Sequence, residues 1–218
     1  MRYFNTAGPV NEQDHYCLPP LSRFDLDEVM LLVEQKKYFV LHAPRQTGKT
    51  SCLLALMDHL NGTQQYRALY ANIEPAQAAR GDLAHGIPVA VQAIARSARD
   101  LLGETEAVNL ERSVLAETEA GLALHEFLAQ WCQRSGKPTV LLLDEVDALV
   151  GDTLISLLRQ LRAGYNQRPA FFPQTVVLCG VRDVRDYRIH SEREKAVITG
   201  GSAFNIKAES LRLGDFTQ

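Results

Sequence analysis

Short apolar runs alternate with stretches of helical periodicity from one end of the chain to the other. The runs lie at 38–43, 67–73, 139–144 and 174–180, with a weaker fifth at 208–213. Their unbroken apolar character suits strands covered on both faces, and their alternation with helical segments predicts parallel strands joined by helical crossovers. Between them Leu53, Leu54, Met57 and Leu60 share one helical stripe, as do Leu124, Phe127, Leu128 and Trp131, and again Leu154, Leu157, Leu158 and Leu161. Trp131 at this spacing reads as core packing, with stacking on a ligand as the alternative. Gly136-Lys137-Pro138 and Gly164 read as helix ends. Asp25 followed by Glu28 reads as a capping box opening a helix with Leu26, Val29, Met30 and Val33 inward. Segments 75–88 and 103–118 mix weak periodicity with Gly, Pro or charge and read as loops or poorly defined helix ends. The expected architecture is a three-layer α/β domain with a mostly parallel five-stranded sheet, residues 1–37 forming a lead-in strap and helix and 38–213 the α/β core of a single domain over 1–218.

Composition narrows the class without changing the fold. A chain of 218 residues with 46% apolar content can bury a full core. A net charge of −3 gives no global pull towards nucleic acid or an anionic surface. Cys17, Cys52, Cys132 and Cys179 never form a C-x-x-C pair, which argues against zinc and against a disulfide framework. The N-terminus lacks an apolar leader core, and no stretch approaches the roughly 20 apolar residues of a membrane span. The expectation is a soluble cytoplasmic protein with no membrane partner.

Candidate chemistry begins after the first strand, at Ala43-Pro44-Arg45-Gln46-Thr47-Gly48-Lys49-Thr50, with Ser51 following. A strand, a turn with a close-approach glycine and a helix start together make a phosphate cradle of backbone N–H groups. Lys49 would place a point charge on the β- and γ-phosphates, and the Thr50 hydroxyl would ligate Mg²⁺. Ala43 stands where such loops usually carry Gly; a negative φ tolerates its methyl group, and that is the expectation.

The third run ends in Asp144-Glu145. Two carboxylates at the end of a strand beside a phosphate loop suit nucleotide hydrolysis, Asp144 in the Mg²⁺ shell and Glu145 as the base for the attacking water. A solvated helix cap is the bland alternative. Asp147 is a weaker candidate for these roles and reads first as the cap of the segment leading into the helix at Leu154.

This combination resembles AAA-type ATPases and, within them, the STAND-like predicted ATPases of bacteria and archaea. The resemblance rests on HYCLPPLSRFDLDEV, APRQTGKT, VLLLDEVD, VVLCGVRD and FNIKAESLRL. It implies ATP and Mg²⁺ as cofactors and an adenine pocket formed by residues 15–23, where Tyr16 or Pro19 would touch the base unless the segment is only a strap over the sheet. It also implies a γ-phosphate sensor at Arg182, whose alternative is a surface arginine paired with Asp183 or Asp186. In this family a helical lid normally follows the fifth strand. The chain stops at Gln218, so the lid is expected to be missing or truncated. No arginine finger stands out, since a salt-bridged helix face explains Arg159 and Arg162 equally.

The leading expectation is an Mg²⁺-dependent ATPase. The alternative is a switch or scaffold that binds ATP or ADP with little hydrolysis, alone or with a protein partner or further copies of itself. Segment 185–195 mixes both charge signs and reads as solvated, so nucleic acid is not expected as a partner. GTP is disfavoured because the chain has no N-K-x-D or T-K-x-D segment.

Overall fold

The computed structural model describes residues 2–3, 13–181, 188–191, 196–199 and 207–214. After a short 3-10 turn, Pro20–Arg23, come α1 (Leu26–Glu34), β1 (Tyr38–His42), α2 (Lys49–Gly62), β2 (Arg67–Asn72), α3 (Leu83–Leu102), α4 (Thr105–Glu117), α5 (Ala120–Gln133), β3 (Thr139–Asp144), α6 (Gly151–Ala163) and β4 (Thr175–Gly180). The chain continues through an antiparallel pair, β5 (Arg188–Ser191) and β6 (Ala196–Thr199), to β7 (Lys207–Arg212).

Five strands form one sheet in the order β2-β3-β4-β1-β7. Every pairing in it is parallel. Strands β3 and β4 are buried along their whole length, which is why they read as continuous apolar runs. Alternate residues feed two cores. Val140 and Leu142 pack with Val29, Val33, Leu53 and Leu56 of α1 and α2, whereas Leu141 and Leu143 pack with the helices from α3 to α6. The result is the expected three-layer sandwich, with all five anticipated strands present.

Two segments correct the sequence reading. Within 75–88 and 103–118, residues 83–88 open the helix α3 and 105–117 form α4, so these parts are regular helix. The buried stripe of α3 contains Ala90, Ala95 and Ala98 between Ile87, Val91 and Ile94; alanine contributes little to a hydrophobic pattern but suits close helix packing. The apparent breakers have tertiary uses. A Cβ on Gly86 would lie 2.4 Å from Thr153 of α6, so the glycine permits a close helix crossing. Pro88 lies in the second turn, where its ring nitrogen forgoes the hydrogen bond that a helical N–H there would make to the Ala84 carbonyl. Asp82 caps the start, its carboxylate accepting from the Ala84 N–H at 2.9 Å. Gly164 does follow a helix end, but with φ −78° it is no left-handed cap; a Cβ there would meet the Phe172 ring at 2.3 Å.

Two other local expectations hold. Asp25 caps α1, accepting from the Glu28 N–H at 3.1 Å. Trp131 is a packing residue: it stacks on Phe127, lies under the Arg67 guanidinium and donates to Glu104 at 2.7 Å. All four cysteines are free. No helix among the described residues is long and apolar enough to cross a membrane.

Candidate functional site

The carboxyl ends of the parallel strands point their loops to one edge of the sheet, and there the two sequence motifs meet. Between β1 and α2 the chain makes a tight loop in which Gln46 and Gly48 both take left-handed backbone, at φ 59° and 80°. Ala43 is buried and is not among the positive-φ residues, so its methyl group is accommodated as expected. Pro44, Arg45, Gln46 and Gly48 are exposed, and Thr47 and Ser51 are partly so. The Thr47 hydroxyl donates to the Pro44 carbonyl at 2.7 Å, closing the turn.

Lys49, the first residue of α2, is buried, and its ammonium donates to the carbonyls of Ala43 at 3.1 Å and Pro44 at 3.0 Å. Two of its three N–H donors are therefore directed at the mouth of the loop. Beside it, the Thr50 hydroxyl donates to Asp144 Oδ2 at 2.7 Å. The loop strand and the acidic strand are not neighbours, since β4 lies between them; the α2 helix start spans the gap.

Asp144 is fully buried. Its Oδ2 accepts from Thr50 and also from the Tyr70 hydroxyl at 3.1 Å, and its Oδ1 accepts from the Glu145 N–H at 2.9 Å. Neutral donors on both oxygens make a buried carboxylate sustainable. Burial, and then the Asp144 charge, hold the Tyr70 phenol and the Cys179 thiol of β4 well above their ordinary pKa values, so both stay protonated beside it.

Glu145 has left-handed backbone, φ 58° and ψ 38°, which ends the strand's side-chain alternation at that point. Its carboxyl pKa is raised, first by burial and then by the charges of Asp144 and Asp147, with Lys49 acting in the opposite direction. Asp147 does not cap the following helix. It sits in the 3-10 turn Val146–Ala148, and its Oδ2 accepts from the Val181 N–H just past β4 at 3.3 Å, while α6 starts without a side-chain cap. A Cβ on Gly180 would lie 3.0 Å from Asp147 Oδ1, so the strand end is shaped around this carboxylate.

Arg182, together with Asp183 and Asp186, lies outside the described residues. The lead-in strap does touch the loop. Buried Arg23 donates through Nη1 to the Thr47 carbonyl, through Nε and Nη2 to the Gly214 carbonyl at 3.1 and 2.7 Å, and its own carbonyl accepts from the Gly214 N–H at 2.9 Å. Sequence reasoning placed the strap near the site through Tyr16 and Pro19; Tyr16 is 57% exposed, and Arg23 makes the contact to the loop. Tyr70 was also missed. Its signal was the period-two placement of Tyr70 and Asn72 towards the ligand end of β2, on the same face as Asp144 in the register Tyr70↔Leu142, Asn72↔Asp144.

A tight glycine-containing loop after a central parallel strand, an acidic strand end two positions across the sheet, and a helix N-terminus joining them match the P-loop nucleotide-binding class. The family model described as AAA domain matches residues 33–187, and the chain belongs to that family. Among solved structures it is similar to Drosophila ORC bound to poly(dA/dT) DNA and Cdc6, with TM-score 0.51 and 10% identity over 87% of this chain and 28% of that one. It is also similar to Cdc6p from Pyrobaculum aerophilum, with TM-score 0.50 and 15% identity over 86% of this chain and 44% of that one. At these identities the likeness shows the shared fold. The chain spans less than half the length of either. No curated protein sequence matches it.

Proposed function

We propose that this AAA domain binds ATP with Mg²⁺ and hydrolyses it slowly, Lys49 and the loop of residues 43–51 holding the phosphates and Glu145 serving as base. The observation that carries the reading is the 2.7 Å hydrogen bond between Thr50 and Asp144, which brings the helix that follows the loop and the acidic strand to one point.

The residues present fit the metal and the nucleotide. No cluster of three or more His, Cys, Asp or Glu side chains able to hold a metal occurs among the described residues. A pair of protein oxygens, one hydroxyl and one carboxylate, suits Mg²⁺, which keeps several waters and takes its remaining ligands from phosphate. Bound there by Thr50 and Asp144, the ion would supply positive charge to the β- and γ-phosphate oxygens. The chain's own groups do the rest. Lys49 exchanges its loop carbonyls for phosphate oxygens, the left-handed turn at Gly48 lets backbone N–H groups approach, and Glu145, with its raised pKa, accepts a proton from water.

Within this reading the chain is cytoplasmic and takes ATP or ADP with a protein partner or a second copy of itself. One of the similar structures is a complex containing DNA, so nucleic acid belongs among the ligands to be assayed. Phosphate release from Mg²⁺ and ATP should exceed that of Glu145→Gln by at least tenfold, with calorimetric ATP binding retained in the variant and lost in Lys49→Ala. Equal release from wild type and Glu145→Gln would overturn the hydrolytic part and leave a nucleotide-gated switch. No calorimetric signal from wild type would overturn the reading altogether.

A further inference from the structure

We infer that Tyr70 is a positioning residue for the metal site: its phenol fixes the Asp144 carboxylate in the orientation that Mg²⁺·ATP requires. The inference rests on the nucleotide-binding reading above and goes beyond it by assigning a role to the edge strand of the sheet.

Tyr70 stands on β2, diagonally across from Asp144, because its register partner on β3 is Leu142 and Asp144 lies two residues further on. Diagonal neighbours on parallel strands are too far apart for short side chains but within reach of an aromatic one. The phenol reaches Oδ2 at 3.1 Å, the same oxygen that Thr50 binds at 2.7 Å. With the Glu145 N–H on Oδ1, three donors from β2, α2 and the strand end fix the carboxylate's rotation. Removing Thr50's donation, as a metal would if it reoriented that hydroxyl, leaves Tyr70 as the remaining side-chain hydroxyl on Oδ2.

The contact is directed: Asn72, nearer in register to Asp144, turns its side-chain oxygen to accept from the Glu74 N–H at 2.8 Å, whereas Tyr70 points its hydroxyl at the carboxylate. Its ring packs in the same core as Leu54, one helical turn after Thr50, so a phenylalanine in its place keeps the packing and loses only the hydroxyl.

The test is a calorimetric titration of ATP into wild type and Tyr70→Phe at a series of Mg²⁺ concentrations and in EDTA. The Mg²⁺ concentration giving half of the metal-dependent gain in ATP affinity should rise about tenfold in Tyr70→Phe, the scale on which groups that orient metal ligands act. Affinity for metal-free ATP should be unchanged. An unaltered Mg²⁺ requirement would overturn the role of Tyr70 alone. An equal loss of affinity with and without metal would also overturn it, by reducing Tyr70 to general packing. If wild type bound no ATP under any condition, the nucleotide reading and this inference would fall together.

Discussion

Thr50 and Asp144, 94 residues apart in the chain, share a 2.7 Å hydrogen bond from hydroxyl to carboxylate. This bond joins the two halves of the site: α2 carries Thr50 to it from the loop after β1, and β3 delivers Asp144 across the intervening β4. The proposed chemistry therefore depends on the alignment of strands that are not neighbours, so loop geometry, strand ends and helix packing should each be separable by mutation.

Gly48→Ala tests the loop. An L-residue at φ 80° costs about 1–2 kcal/mol, and the new Cβ would lie 3.2 Å from Arg23 Nη1. The melting temperature should fall by a few degrees and ATP affinity should drop further than stability does, as calorimetry beside thermal unfolding would register.

Gly86→Ala tests the helix crossing that supports β3. Its Cβ would meet Thr153 Cγ2 at 2.4 Å, an overlap that should destabilise by about 2 kcal/mol. Among the described residues the buried Thr153 hydroxyl has no hydrogen-bond partner, so Thr153→Ala alone should be nearly neutral and should rescue Gly86→Ala. A denaturant double-mutant cycle should give a coupling above about 1 kcal/mol.

Glu145 predicts a pH dependence. Its folded-state pKa is raised above the ordinary carboxylate value by burial and by its acidic neighbours. The native chain therefore binds its proton more tightly than the unfolded chain. As pH rises from the unfolded through the folded pKa, this group lowers stability. Glu145→Gln should thus be more stable than wild type near neutral pH, and the difference should shrink as the medium is acidified below the ordinary carboxylate pKa. Urea unfolding at a series of pH values would measure it.

Glu104 is expected to matter for stability and not for chemistry. It accepts from Arg67 at 3.3 Å and from Trp131 Nε1 at 2.7 Å, at the amino-terminal ends of the strands and away from the loop. Glu104→Ala leaves a largely buried guanidinium and an indole N–H without this partner, a loss of about 2 kcal/mol after allowance for partial exposure. The midpoint of urea unfolding should fall while ATP affinity of the folded protein stays the same.

The strands were legible because burial on both faces leaves continuous apolar runs, and the meeting of the loop and the acidic pair because both lie at the carboxyl ends of such runs. The α3 and α4 helices were not, since an alanine-rich stripe interrupted by Gly86 and Pro88 looks like loop until Thr153 is seen packed against it. Asp147 misled for a related reason: a carboxylate before a helix reads as a cap, yet its partner is the Val181 N–H at the end of another strand.

By itself, the chain's order of residues determined which segments become strands, which turn follows the first strand with its glycine and lysine, and which acids lie at a strand end, because these depend on local periodicity and local chemistry. Only the tertiary structure decided the sheet order that sets β4 between the loop and Asp144, the reach of Tyr70 to that carboxylate, and the clasp of Arg23 on Thr47 and Gly214. Those contacts join residues distant in the chain, and strand register and packing, which local patterns do not encode, bring them together.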